Sequence, residues 1–178
     1  MQSIEVKNDK KNIIVIGTGG TIAGTGEEGV TSSYDSAQVK VDKLVSDIPA
    51  LESVANVTSK NLFSVDSCDI SWSHLTKLAK YINSSSEKSD VDGFVVTHGT
   101  DTLEETAYFL NLVLKTNKPV VLTGSMRPGT AISADGPFNL YQAVSLAAND
   151  QSANKGVLVA FSDQIYGARD VSKINTFR

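Results

Sequence analysis

The sequence predicts an α/β fold: a mostly parallel, twisted sheet with helices on both faces. Short Val/Ile-rich runs of strand length alternate with segments of helical period along the chain, the order that βαβ units produce. Several of these runs are apolar throughout and stop at glycine, as strands buried within a parallel sheet do. At 178 residues the chain fits one domain, large enough to bury about 70% of its unfolded surface without disulfide or metal staples.

The first strand, 13–17, runs Ile-Ile-Val-Ile-Gly and breaks into glycines around Thr18 and Thr21. Glycine has no Cβ, so backbone N–H groups there can approach a ligand closely. In open α/β sheets, the C-terminal strand ends are where ligands bind. Gly17 and Gly19 begin a G-x-G-x-x-G pattern, but Ile22 takes the place of the last glycine and no G-K-[ST] follows. A nucleotide-phosphate loop is therefore disfavoured, and the turn reads as one that presents Thr21. Segment 24–36, rich in glycine and hydroxyls around Tyr34, reads as a mobile lid.

Val41, Leu44, Val45 and Ile48 then form one helical face, ended by Pro49. A strand follows over 54–59, continuing to 65. Leu75, Leu78, Ala79 and Ile82 mark the next helix, and Ser84–Ser86 reads as a surface turn. Strand 93–97 (Gly-Phe-Val-Val-Thr) leads into His-Gly-Thr-Asp-Thr, repeating the first design with Thr100 and Asp101 at a helix start. Thr102 and Glu105 have capping-box spacing, with Leu103, Ala107, Leu110 and Leu114 behind them. Strand 119–123, the polar loop 124–136, a helix from Pro137 through Ala147 and strand 156–161 complete the pattern.

Composition narrows the function. A net charge of −4 and pI near 5.1 argue against a nucleic-acid partner. Cys68 is the only cysteine, and with two histidines there is no zinc spacing. No apolar run approaches a membrane span, and residues 1–11 lack a signal-peptide core. His74 reads as a surface residue, His98 as a hydrogen-bonded structural histidine, and Trp72 and Met126 as packing residues. No G-x-S-x-G elbow is present.

The candidate chemistry therefore centres on hydroxyls. A threonine is a poor nucleophile without a base or strong acceptor. Asp101 can accept, Lys173 can take a proton if its pKa falls, and Tyr34 can donate or accept. Alternatively, Asp101 or Thr102 only caps its helix, and Lys173 is a solvated charge.

Five segments, in order along nearly the whole chain, resemble the bacterial L-asparaginase family, type II branch (asparaginase and glutaminase-asparaginase). They are Thr-Gly-Gly-Thr-Ile-Ala-Gly at 18–24, Thr-His-Gly-Thr-Asp-Thr-Leu-Glu-Glu-Thr-Ala-Tyr at 97–108, Gly-Ser-Met-Arg-Pro at 124–128, Ser-Ala-Asp-Gly-Pro-Phe-Asn-Leu-Tyr at 133–141, and Arg-Asp-Val-Ser-Lys at 169–173. The resemblance implies hydrolysis of the side-chain amide of L-asparagine, and often of L-glutamine, to the acid and ammonia, with no metal or organic cofactor. Thr21 then matches the nucleophile and Tyr34 its lid partner; Thr100, Asp101 and Lys173 match a second catalytic cluster. Ser67, Cys68, Gly99 and Asp101 match the substrate-binding positions, Ser67 toward the α-carboxylate and Asp101 toward the α-amino group. Whether Thr21 forms an acyl-enzyme or Thr100 activates water directly is open at this stage.

Two departures stand out. The family usually has Ser-Gln-Asp or Ser-Glu-Asp where this chain has Ser67-Cys68-Asp69, and a thiol is a weak hydrogen-bonding partner. Weaker substrate binding with the chemistry retained is expected. Family members are also about twice as long, which implies that residues 1–178 are the N-terminal catalytic domain. The C-terminal domain would lie outside this chain. In the family that domain supplies a glutamate from a neighbouring subunit, so this chain alone is expected to have little activity and an uncovered apolar face. The resemblance further implies a homotetramer and a periplasmic location, with the cytoplasm as the alternative. A non-catalytic module that binds amino acids or small anions is the rival reading.

Overall fold

The computed structural model describes residues 10–26, 34–35 and 39–175. A six-stranded sheet in the order β4-β1-β5-β6-β7-β8 forms the middle layer. Its strands are β1 (Asn12–Gly19), β4 (Asn56–Val65), β5 (Gly93–Thr97), β6 (Val120–Thr123), β7 (Val157–Phe161) and β8 (Gln164–Gly167). All neighbours pair in parallel except β7 with β8. The α/β class and the parallel sheet are as the sequence predicts.

Alternation along the buried strands creates two cores. Ile16, Phe94, Val96, Val120, Leu122, Val157 and Val159 face one side; Ile13, Val15, Val95, Val121 and Ala160 face the other. This is the two-residue period of a pleated strand. On the first side pack α3 (Trp72–Ser86), through Leu78 and Ile82, and α4 (Leu103–Val113), through Ala107 and Leu110. On the second lie α1 (Val41–Ser46), α2 (Leu51–Val54) and α5 (Gly136–Ala147), the last through Leu140, Ala143 and Val144. Each fully buried Leu or Ile contributes about 1.5–3 kcal/mol relative to exposure. Each of these helices thus turns an apolar stripe onto the sheet.

Several local expectations are corrected. Thr102 is the N-cap of α4 but makes no side-chain cap bond. Its hydroxyl instead donates to Ser67 O at 2.8 Å, so no capping box forms with Glu105. Ser84–Ser86 is the last turn of α3, not a surface turn, and Ser85 is buried. The hydroxyls of Ser84 and Ser86 donate back to the carbonyls of Tyr81 and Asn83, which lets the helix carry them. The first helix, α1, stops at Ser46, so Ile48 lies just beyond it, and a short α2 that the sequence did not indicate follows Pro49. Trp72 is 73% exposed, resting edge-on against Phe109 rather than packed inside. His74 is half-buried: its Nδ1 accepts from the Ser71 N–H, capping α3, and its ring meets Phe63.

Strands β2 (Thr25–Gly26) and β3 (Tyr34–Asp35) form a small antiparallel ribbon. The rest of the expected lid lies outside the described residues, and so does its expected mobility. Among the described residues, no helix is long and apolar enough to cross a membrane.

Candidate active site

Parallel pairing brings the C-terminal ends of β1, β5, β6 and β7 to one edge. Buried threonines bind these ends together: the Thr18 hydroxyl donates to Thr97 O at 2.7 Å, and that of Thr123 donates to Ala160 O at 2.8 Å. The two glycine loops meet here. Gly20 has φ +81°, and a Cβ on it would lie 2.3 Å from both N and Cα of Gly99. A Cβ on Gly99 would lie 2.6 Å from Ser67 Oγ. Gly20 and Gly99 are therefore in backbone contact with the Ser67 side chain packed against Gly99, a closeness that a Cβ at either glycine would prevent.

Thr21 follows Gly20 directly and opens a short 3-10 turn, Thr21–Ala23. Thr100 follows Gly99 and leads into α4. Both threonines thus leave one contact point at the sheet edge. Tyr34 is placed by its backbone, opposite Gly26; its side chain lies outside the described residues.

Ser67 is 2% exposed and sits beneath this junction. Its hydroxyl oxygen accepts from the Asp101 N–H at 3.2 Å. The Asp101 carboxylate takes two donors: Lys173 Nζ at 2.5 Å on Oδ1 and Cys68 Sγ at 3.1 Å on Oδ2. Lys173 is far away in sequence, but the Glu104 carboxylate on α4 accepts its backbone N–H at 2.6 Å. Lys173 is accordingly not a solvated charge; its side chain is 24% exposed and paired. The structure joins it to Asp101, and no hydrogen bond links it to the Thr100 hydroxyl.

The electrostatics follow from these contacts. Lys173, then the Cys68 thiol, hold the Asp101 carboxyl below its ordinary value despite some burial. The hydrogen bond to Asp101 and that group's charge push the Cys68 thiol up, so it stays protonated and donates. Asp66, Cys68 and Asp101 place one ligand atom each within 4.8 Å of one another. With Lys173 on Asp101 and a thiol that resists ionisation, the group is built to share protons rather than to grip a cation, which needs the thiolate.

Behind the loops lies His98, hydrogen-bonded through both ring nitrogens as the sequence predicts, together with Asp135 and Asn139, which the sequence did not single out. His98 is wholly buried; burial lowers its pKa to about 4. Asp135 accepts from the N–H groups of Met126 and Arg127, and Asn139 bridges Gly124 O and the Ser162 N–H. Loop 124–136 is therefore a fixed wall. Asp135 and Asn139 lie four apart at the start of α5, the one signal that could have paired them. A cavity of about 580 Å³ opens beside the site, its wall including Thr100, Glu104, Met126, Phe161, Tyr166 and Lys173 but not Thr21.

A family model described as "Asparaginase, N-terminal" matches residues 12–178. The chain is 50% identical over 165 residues to the glutaminase-asparaginase of Acinetobacter glutaminasificans, covering 92% of this chain and 50% of that protein. It is 48% identical over 174 residues to a probable periplasmic L-asparaginase of Haemophilus influenzae, covering 98% and 49%. The crystal structure of a probable cytoplasmic L-asparaginase from Campylobacter jejuni superposes with a TM-score of 0.92 at 45% identity, covering 95% of this chain and 52% of that one. The chain thus spans about half the length of these relatives, and their names place one in the periplasm and another in the cytoplasm.

Proposed function

This chain belongs to the asparaginase family, and from that premise we propose that it hydrolyses the side-chain amide of L-asparagine, and also of L-glutamine, with Thr21 as nucleophile. The observation that carries the reading is the Gly20–Gly99 backbone contact, which sends Thr21 and Thr100 out from one point beside the Asp101–Lys173 pair. Thr21 Oγ adds to the amide carbon, its proton passing to a neighbouring acceptor, for which Tyr34 is the lid candidate. The tetrahedral oxyanion is met by backbone N–H groups near Thr100, each worth roughly 3 kcal/mol. The C–N bond then breaks, ammonia leaves with a proton, and water cleaves the Thr21 ester.

Ser67, Gly99 and Asp101 bind the amino-acid end of the substrate, Ser67 the carboxylate and Asp101 the ammonium. Cys68 lies on the same side, where its thiol occupies the second oxygen of Asp101. Thr100, Asp101 and Lys173 form the cluster that manages protons in the second half of the reaction. No metal or cofactor is required in this scheme.

Residues 1–178 are read as the N-terminal catalytic domain of a longer homotetrameric enzyme. Ile165, Tyr166 and Ile174 are exposed, the last two along the rim of the site cavity; the C-terminal half carried by relatives would cover them. On this reading the isolated chain turns over slowly.

Ammonia release from both amides tests the proposal. Thr21→Ala should abolish release while calorimetry still detects asparagine binding. Binding with no release from either protein, even in a chain extended to the relatives' length, would favour the non-catalytic binding module.

A further inference from the structure

We propose that His98 is a positioning residue that fixes the Gly99–Thr100 peptide so that the Thr100 N–H is held toward the substrate. The inference rests on the amidase reading above and adds a group which that reading left unused. Both ring nitrogens of His98 are engaged: Nδ1 meets Gly99 O at 2.6 Å, and Nε2 meets Thr106 Oγ1 at 2.9 Å. A carbonyl oxygen can only accept, so Nδ1 carries the proton. Nε2 is then a lone pair and accepts from the Thr106 hydroxyl. One tautomer alone satisfies both contacts.

The consequence passes through the peptide itself. No peptide bond of the described chain is cis, and in a planar trans peptide the C=O and N–H point in opposite directions. With Gly99 O drawn toward the buried imidazole, the N–H of Thr100 is directed away from it. That N–H makes no hydrogen bond within the described structure. It begins the residue after Gly99, at the contact with Gly20. A glycine on one side leaves this peptide plane little steric restraint of its own. His98 supplies the restraint, and Thr106 on α4 in turn holds the ring.

The burial of His98 fits this use. The ring is 0% exposed, and burial keeps it neutral well below physiological pH. A protonated ring would place a hydrogen on Nε2 against the Thr106 oxygen and would lose the single-tautomer lock.

The test compares His98→Asn, whose amide can still donate near the Nδ1 position, with His98→Leu, which cannot. In chains that release ammonia, His98→Leu should lower kcat about a hundredfold with KM within about twofold, the pattern of a displaced oxyanion donor. His98→Asn should recover most of that loss. Long-range proton–nitrogen NMR of the 178-residue chain should show the Nδ1–H tautomer at pH 7. The Thr100 amide signal should move in His98→Leu and stay near its original position in His98→Asn. If His98→Leu does not fold, Thr106→Val takes its place: the ring should then show a mixture of tautomers and the Thr100 amide should shift. An Nε2–H tautomer in the unsubstituted chain would overturn the proposal. So would a Thr100 amide indifferent to these substitutions, or a loss confined to KM. If no amide is hydrolysed by any form, the amidase reading fails while the NMR results still decide what His98 does.

Discussion

The two glycine-ended loops have the same design in sequence and different support in space. The Gly99–Asp101 loop is held from behind by His98 and Thr106, from below by Ser67, and from the front by Lys173 on Asp101. The Gly20–Thr21 loop is held through its backbone: the Gly20 N–H donates to Val65 O, the Gly20 and Thr21 carbonyls accept from the N–H groups of Ala23 and Gly24, and Gly20 leans on Gly99 before the chain passes into the β2–β3 ribbon. One threonine sits on a platform braced by side chains and the other in a backbone-held turn that leads into the β2–β3 ribbon. In a double displacement this is a sensible division, because the group that is acylated must change partners while the oxyanion donors must not move.

The sharpest way to break the comparison is at the shared contact. Gly20→Ala demands a Cβ 2.3 Å from Gly99 backbone atoms at a positive φ, and neither loop can yield. A stability loss above about 3 kcal/mol is expected in denaturant melts. Gly99→Ala meets the Ser67 side chain instead, and a loss of about 1–3 kcal/mol should follow.

The braced loop also carries a pH signature. His98 is held near 4 when folded, against 6.5 when unfolded. Its contribution is fully present above 6.5 and declines as pH falls toward 4, because the unfolded chain binds the extra proton in that window. The decline is about 3 kcal/mol. Asp101 is depressed from 3.8, so its contribution is lost only at lower pH and does not overlap this window. Unfolding measured between pH 7 and 4 should show the slope, and His98→Asn should flatten it.

Lys173→Met tests the front brace. It removes the pair on Asp101 and should lower amide turnover about a hundredfold, with little change in melting, since a partly exposed pair adds little stability. The smallest effect is expected at Cys68. Cys68→Gln offers Asp101 and the substrate a stronger amide donor and should lower KM for asparagine a few-fold; an unchanged KM would mean the thiol contact does not limit binding.

Much of this molecule was legible because strands buried on both faces leave an unbroken apolar run. β5 was placed at its true bounds, and β6 and β7 within one residue. β8 was missed because its hairpin turns through Ser162 and Asp163, both at positive φ, without the glycine that usually marks such a turn. The capping box failed because Ser67, distant in sequence, takes the Thr102 hydroxyl. Motifs singled out the threonines, Asp101, Ser67 and Lys173, and the fold brings Ser67, Asp101 and Lys173 into contact. The second layer was not singled out, since the hold of Asp135 on loop 124–136 and of Glu104 on Lys173 exists only after folding.

On the proposed mechanism Thr21, before the β2–β3 ribbon, and not Thr100 on the braced loop, is acylated. Acid-quenched asparagine turnover, followed by peptide mass mapping, reads this directly. A β-aspartyl ester on the Thr21 peptide, absent from Thr21→Ala, is the predicted result. An ester on the Thr100 peptide, or undiminished ammonia release by Thr21→Ala, would contradict it.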